Sequence, residues 1–281
     1  MKRAVFYFTG TGNSYHIARR LSVLLEAELI PIAGVMKGKK VAKSFDVIGL
    51  VYPVYYANTP NIVREFCRTY DFSTASYVFA VSNYGGGKGE SVKTVRDILE
   101  SRNHFLSASF GVQMTQNAFV KKYENKDRVF NASEVMVRRI ASVVKEGRKG
   151  FFSQNRLLDL IAHLMLFMIK PLFKKHLIKM SGLEKGASLE QAVYRLDGSF
   201  TAGSGCTGCG TCAAVCPVDN IIMDKGKPQW QHRCENCLAC VNFCPENAIE
   251  NEITNNGFNY LHPDYSLREA LNQKRINTPF D

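Results

Sequence analysis

Eight of the nine cysteines fall in two short runs: Cys206, Cys209, Cys212 and Cys216, then Cys234, Cys237, Cys240 and Cys244. A proline, Pro217 or Pro245, closes each run, so both read C-x2-C-x2-C-x3-C-P. Val-Asp-Asn-Ile after the first Cys-Pro answers Glu-Asn-Ala-Ile after the second, which marks an internal duplication of a small metal-binding unit. Three closely spaced thiolates on a short loop can wrap three corners of an iron–sulfur cubane, and the fourth corner must come from elsewhere. The proline turns the chain away and leaves no N–H unpaired. Small residues such as Gly208, Gly210, Ala213 and Ala239 leave room for backbone amides to approach the sulfurs, a lever on potential. Tetrahedral zinc needs two CxxC pairs per ion and has no use for the third close cysteine or the trailing proline. Disulfides fit less well still, because the N-terminal MKRAVFYFTG shows no secretion signal.

Over about residues 200–250 this pattern resembles the bacterial-type two-[4Fe-4S] ferredoxins. In that family the fourth cysteine of each run ligates the other cluster. The resemblance therefore implies one cluster on Cys206, Cys209, Cys212 and Cys244, and another on Cys234, Cys237, Cys240 and Cys216.

The N-terminal half offers a different chemistry. Arg3 to Phe8 is an apolar run fit for a buried parallel strand, followed by Thr9-Gly10-Thr11-Gly12-Asn13-Ser14 and then a helical pattern from Tyr15 to Glu28. Strand, Gly- and hydroxyl-rich loop, helix: this order makes a phosphate cradle, because the helix start offers unpaired N–H groups and a positive dipole end. The loop lacks the GK[ST] of a P-loop and the GxGxxG of a dinucleotide site. It resembles the T-x-T-G-N-[TS] loop of the flavodoxin family, which holds the phosphate of FMN without a basic side chain.

Two further strand ends strengthen that resemblance. Phe45 to Tyr52 leads into Pro53-Val54-Tyr55-Tyr56-Ala57-Asn58, and Tyr77 to Ser82 leads into Asn83-Tyr84-Gly85-Gly86. The expected fold class is α/β, a doubly wound parallel sheet of order 2-1-3-4-5, in which ligands sit beyond the carboxyl ends of the strands. The flavodoxin resemblance implies that the second and third loops flank the flavin ring. Tyr55 or Tyr56, and Tyr84, would stack on it, while the amides of Asn83, Gly85 and Gly86 bond its polar edge. Many relatives carry a glycine near the position of Asn58, and asparagine tolerates positive φ better than most residues. Further strands are expected near Leu29–Ile32 and Ser107–Met114. Helices are expected near Asn61–Thr69, Glu90–Glu100 and Ala132–Lys145.

Residues 148–199 match neither unit. The apolar stretch Leu157–Ile169 is broken by Asp159 and His163, and Pro171 is expected to kink or end the helix, leaving it too short to span a membrane. Lys170, Lys174, Lys175 and Lys179 flank it. A helix buried between the domains or in a homodimer contact is favoured over one lying on an anionic membrane surface. The tail from Ile253 to Asp281 is expected to wrap the surface. Cys67 reads as a core thiol. His232, Arg233 and Trp230 are expected beside a cluster, with His232 not a ligand because four thiolates are already supplied.

The domains are therefore expected at 1–147 (FMN-binding), 148–199 (connector), 200–252 (two-cluster) and 253–281 (tail). Flavodoxin-like unit first and ferredoxin-like unit second, the chain resembles the flavodoxin–ferredoxin fusion proteins of anaerobic microbes, a family of iron–sulfur flavoproteins. The stretch Pro228-x-Trp230-x-His232-Arg233-Cys234-Glu235-x-Cys237 carries that likeness. The resemblance implies an electron carrier between FMN, two [4Fe-4S] clusters and a redox partner, with an FMN-dependent small-molecule reductase as the alternative. No general acid or base is needed, so no catalytic residue is assigned. At 46% hydrophobic and 22% charged residues, the 281-residue composition excludes a disordered chain. The formal charge of +11 suits an acidic redox partner, whereas nucleic acid is disfavoured for want of a recognition motif. Reduced cysteines without a targeting signal point to the cytoplasm.

Overall fold

The apolar runs of the first half pair as parallel strands because each is short, bounded by turn residues and buried on both faces. The computed structural model describes residues 1–38, 41, 44–118, 126–152, 168, 170–254 and 259–275. Its main sheet is built from β1 (Arg3–Tyr7), β2 (Glu28–Pro31), β3 (Val47–Pro53), β4 (Tyr77–Tyr84), β5 (Ala108–Gln113) and β6 (Gly150–Phe152). The order is β2-β1-β3-β4-β5-β6, every neighbouring pair parallel. The sheet thus runs past residue 147, because β6 pairs with β5 and Phe152 stacks on Phe110 at 5.1 Å.

Helices α1 (Asn13–Leu25) and α5 (Lys126–Lys145) cover one face, burying Ile17, Leu21, Val137 and Ile140 against Val5, Val51 and Phe110. On the other face lie α2 (Ile32–Met36), α3 (Asn61–Thr69) and α4 (Ser91–Glu100), over Phe6, Phe8, Ile48 and Leu50. Helix α1 closes earlier than the sequence suggests. Glu26 takes a left-handed conformation at φ 50°, which frees Glu28 to start β2. Cys67 lies in the core, where burial pushes its thiol up to about 12.

The second half starts in the connector. Residues 170–180 form α6, which continues past Pro171, so the proline does not end it. The rest of the apolar stretch, His163 included, lies outside the described residues. No helix among those described is long and apolar enough to cross a membrane. Then come α7 (Leu189–Arg195), a 3-10 turn (Leu196–Ser199), β7 (Thr201–Ala202), α8 (Thr211–Val215), the hairpin β8 (Ile221–Asp224) and β9 (Lys227–Trp230), α9 (Ala239–Asn242), β10 (Ile249–Glu250) and α10 (Leu267–Asn272). Ser188 and Ser266 open α7 and α10 with capping boxes. The two halves share one core. Val215, Cys237, Ala239, Tyr265 and Ala270 belong to the apolar cluster that fills the α2–α4 face of the sheet.

Candidate functional site

The duplicated cysteine runs fold as duplicated loops. Gly208 and Gly210 sit at φ 73° and 75°, and their counterparts Asn236 and Leu238 at 53° and 61°. Asp219 and Asn247 repeat the likeness at φ 49° and 50°. Left-handed backbone is tolerated by Asn236, Asp219 and Asn247 but costs about 1–2 kcal/mol at Leu238, the sort of strain a functional loop retains. Equivalent amides then meet equivalent sulfurs: Asn220 N–H reaches Cys216 Sγ at 3.2 Å, and Ala248 N–H reaches Cys244 Sγ at 3.3 Å.

The loops bring the last cysteine of each run near cysteines of the other, Cys216 near Cys237 and Cys240, and Cys244 near Cys212. Burial raises the Cys237 thiol to about 12, with like charge from Cys216 next in weight. Burial also raises Cys212, opposed by the backbone of Ala213 and reinforced by Cys244. Cys234 and Cys240 are pushed well up by burial and then by neighbouring thiols. Such crowded, buried thiols stay protonated unless iron supplies the compensating charge. Among the described residues no three cysteine sulfurs lie within 4.8 Å of one another. Four sulfurs on one zinc ion at 2.3 Å would stand about 3.8 Å apart, closer together than any three of these. All nine cysteines are free, and of the eight candidate ligands only Cys209 is exposed. Trp230 packs edge-on to Phe200 at 5.7 Å and its indole faces Cys240. His232 is held by Asp197 through Nδ1 at 2.8 Å.

At the carboxyl end of β1 the chain turns through Thr9–Gly12 into α1, with Gly12 at φ 102°. Residues Thr9 to Ser14 are all buried. Thr9 Oγ1 accepts the N–H of Gly12 at 3.0 Å, closing the loop on itself. Among the described residues nothing accepts from the N–H of Thr11, Asn13 or Ser14. Three buried donors without acceptors, at the positive end of α1, suit an anion such as the phosphate of FMN. The side chains are otherwise engaged. Asn83 Nδ2 donates to Ser14 Oγ, Asn117 donates to Thr11 Oγ1 at 3.0 Å, and Asn13 donates to the Thr115 carbonyl at 2.9 Å.

The second loop is a two-residue hairpin. Tyr55 and Asn58 exchange backbone hydrogen bonds at 3.0 and 2.9 Å, with Tyr56 and Ala57 between them at φ 49° and 59°. The positive φ therefore falls on Tyr56 and Ala57, not on Asn58, whose side chain instead accepts from Thr59 N–H and Thr94 Oγ1. The two tyrosines part company. Tyr55 turns inward against Phe8, its phenol pushed well up by burial and by the nearby Cys237, with the Gly10 amide facing it. Tyr56 faces Phe173 of α6 and Cys234. Tyr84 packs over Gly111 of β5. Pro53 ends β3, and the N–H of Val54 just beyond it is taken by the Asn83 carbonyl at 2.8 Å. Ser82 is buried in β4, Gly85 packs on Gln116, and Gly86 faces open space.

Residues that the sequence does not single out complete the site. A Cβ at Gly10 would run into the backbone carbonyl of Cys237, so the glycine is what lets the second cysteine loop touch the phosphate loop. The tail is not a surface wrapping. Tyr260, His262, Tyr265 and Gln273 are buried against the first loop. His262 N–H donates to the Thr11 carbonyl (2.8 Å) and Tyr260 Oη to Asn13 Oδ1 (2.6 Å). Gln273 pairs with both backbone groups of Thr9 at 3.0 Å. The Ser266-x-x-Glu269 capping box and the aromatic residues before it are the signal that could have found this packing. Replacing Gln273 with alanine leaves two buried backbone groups unserved and should cost about 1–3 kcal/mol, read as a lower denaturant midpoint at unchanged slope.

The connector acts as a bracket. From α7, the carbonyls of Val193 and Tyr194 accept from Asn236 Nδ2 (2.6 Å) and Cys234 N–H (3.3 Å). Arg64 of α3 pairs with Glu190 at 2.8 Å, and Glu235 reaches α3 from the cysteine loop. Between these parts opens a cleft of about 610 Å³, continuous with solvent, with Tyr55, Tyr56, Arg64, Glu190 and Glu235 in its wall.

Comparison with known proteins matches these two halves separately. Residues 4–129 match the flavodoxin domain model and residues 205–249 the 4Fe-4S dicluster domain model. Over 61 residues the chain is 39% identical to one component of the Na(+)-translocating ferredoxin:NAD(+) oxidoreductase complex of Acetobacterium woodii, covering 21% of this chain and 18% of that protein. It is 33% identical over 90 residues to an uncharacterized polyferredoxin-like protein of Methanocaldococcus jannaschii, covering 25% of this chain and 52% of that one. It thus spans between a fifth and a half of the length of these relatives. A flavodoxin from the domain Archaea aligns with a TM-score of 0.37 and 16% identity, over 52% of this chain and 99% of the other. The chain joins a flavodoxin domain, residues 4–129, to a 4Fe-4S dicluster domain, residues 205–249, which is the domain composition of an electron-transfer iron–sulfur flavoprotein.

Proposed function

We propose that the chain relays electrons between FMN, held at the Thr9–Ser14 loop, and two [4Fe-4S] clusters, and hands them on to a redox protein. One cluster takes Cys234, Cys237, Cys240 and Cys216; the other takes Cys206, Cys209, Cys212 and Cys244. When bound, FMN exchanges one or two electrons and each cubane one, which converts between pair-wise and single-electron traffic. Carrying the centres on one chain replaces a chance encounter with a fixed neighbour.

The carrying observation is the contact between Cys237 and Gly10. It places the second cysteine loop on the phosphate loop, with Tyr55 filling the space beside them. The order is then FMN, the Cys237 cluster, the Cys209 cluster, partner, because the Cys237 set is buried and Cys209 is the exposed ligand. An acidic partner fits the net charge of +11, and reducing cytoplasm fits free thiols. The cleft at Tyr55 and Tyr56 supports a second reading, reduction of a small molecule, and turnover of such a compound without any protein partner would favour it. Anaerobic purification tests the cofactor set. One FMN and about eight iron atoms per chain are expected, whereas zinc without flavin would overturn the reading.

A further inference from the structure

Glu235 stands between two cysteines of the second run, yet its carboxylate leaves the cysteine loop. Oε2 accepts the N–H of Asn61 and Oε1 that of Ile62, both at 2.8 Å. Those are the two first-turn amides of α3 that its own chain leaves unserved. Pro60, at the cap position, offers no side-chain acceptor, while its carbonyl takes the N–H of Val63 and Arg64 at 3.1 Å. A helix with a proline in that place needs an acceptor from outside, and a carboxylate at the positive end serves best. The whole joint is buried: Glu235 is 4% exposed and Asn61 5%. Arg64, one turn on, binds Asn61 Oδ1 at 3.0 Å and Glu190 of the bracket helix at 2.8 Å, so the first turn of α3 is gripped on its backbone and on its side chains. Two residues beyond Glu235, Cys237 lies on Gly10.

We propose that Glu235 is a positioning residue: by capping α3 across the domain boundary, it fixes how closely the Cys237 loop approaches the flavin-binding loop. It touches neither flavin nor cluster. Its reach matters, not its charge alone, because both oxygens must arrive at two adjacent amides. The inference rests on the relay proposed above.

Reach and charge are separated by two variants of the cofactor-loaded protein. E235D keeps the carboxyl group and shortens the side chain by one methylene. E235Q keeps the length and removes the charge, but it also replaces one of the two accepting oxygens with an NH2 donor, so only one amide stays served. In E235D the Asn61 and Ile62 amides should lose their hydrogen-exchange protection. Flavin-to-cluster transfer after flash reduction should slow several-fold. Iron content, flavin content and cluster potentials should stay as in the parent, and E235Q, which still caps one amide, should fall between E235D and the parent in rate. Parental exchange and rate in E235D would overturn the inference. So would E235Q slower than E235D with shifted potentials, which would assign Glu235 an electrostatic role. Amide exchange in the unmodified protein tests the joint without any variant: Asn61 and Ile62 as open to exchange as an uncapped helix start would also overturn it. A parent protein that shows no transfer would sink the relay but leave the exchange result to judge the joint.

Discussion

Replacing Cys237 with alanine should halve the iron, from about eight atoms per chain to about four, and abolish transfer from flavin while flavin stays bound. Alanine keeps the Cβ and the backbone carbonyl that meet Gly10, so the phosphate loop loses none of its packing there. What disappears is one thiolate of the buried set, and with it the carrier next to the flavin. The companion variant C209A separates order from mere number. It removes the exposed ligand, so iron should again halve, yet reduction of the remaining cluster by flavin should persist while delivery to an external acceptor fails. Iron and flavin assays with stopped-flow absorbance read all of these. If C237A and C209A behaved alike toward flavin, the linear order would be wrong.

Gly10→Ala is the second large effect. The added methyl points at the Cys237 carbonyl, a backbone atom that no side-chain rotation can move aside. Either the cysteine loop or the phosphate loop must shift, and overpacking of this kind costs about 1–3 kcal/mol. Because Cys237, Ala239 and Val215 share a core with the sheet, the shift should also loosen the seating of the whole cysteine-bearing unit. A lower thermal midpoint and slower flavin-to-cluster transfer are expected together. Gly198→Ala, whose methyl meets nothing within 4 Å, provides the control and should leave the stability within about 0.5 kcal/mol.

The sheet order and the cysteine runs are legible because each rests on local pattern: short apolar runs between turns, and ligand spacing repeated in tandem. Pattern alone places helix α3 at Asn61–Thr69, and the five expected strands fall within a residue or two, while β6 is missed. The contacts between the units are not legible. Gly10 reads equally well as a phosphate-loop glycine and as a residue that admits another backbone; only the fold shows the second use. Glu235 reads as a polar filler between cysteines, because the amides it serves lie 173 and 174 positions away in the chain. The tail reads as polar, and burial of Tyr260, His262 and Gln273 follows from partners at Thr9, Thr11 and Asn13 that no window of sequence contains. The positive φ moves from Asn58 to Tyr56 and Ala57, since a two-residue hairpin demands it at both central positions whatever their identity.

Flash reduction of the flavin in anaerobic, cofactor-loaded protein addresses the relay most directly. Bleaching of cluster absorbance should follow in a single phase whose rate does not change with protein concentration, because donor and acceptor lie on one chain a few residues from the Gly10–Cys237 contact. A rate that rises in proportion to protein concentration, or a reduced flavin that never bleaches the clusters, would contradict the account.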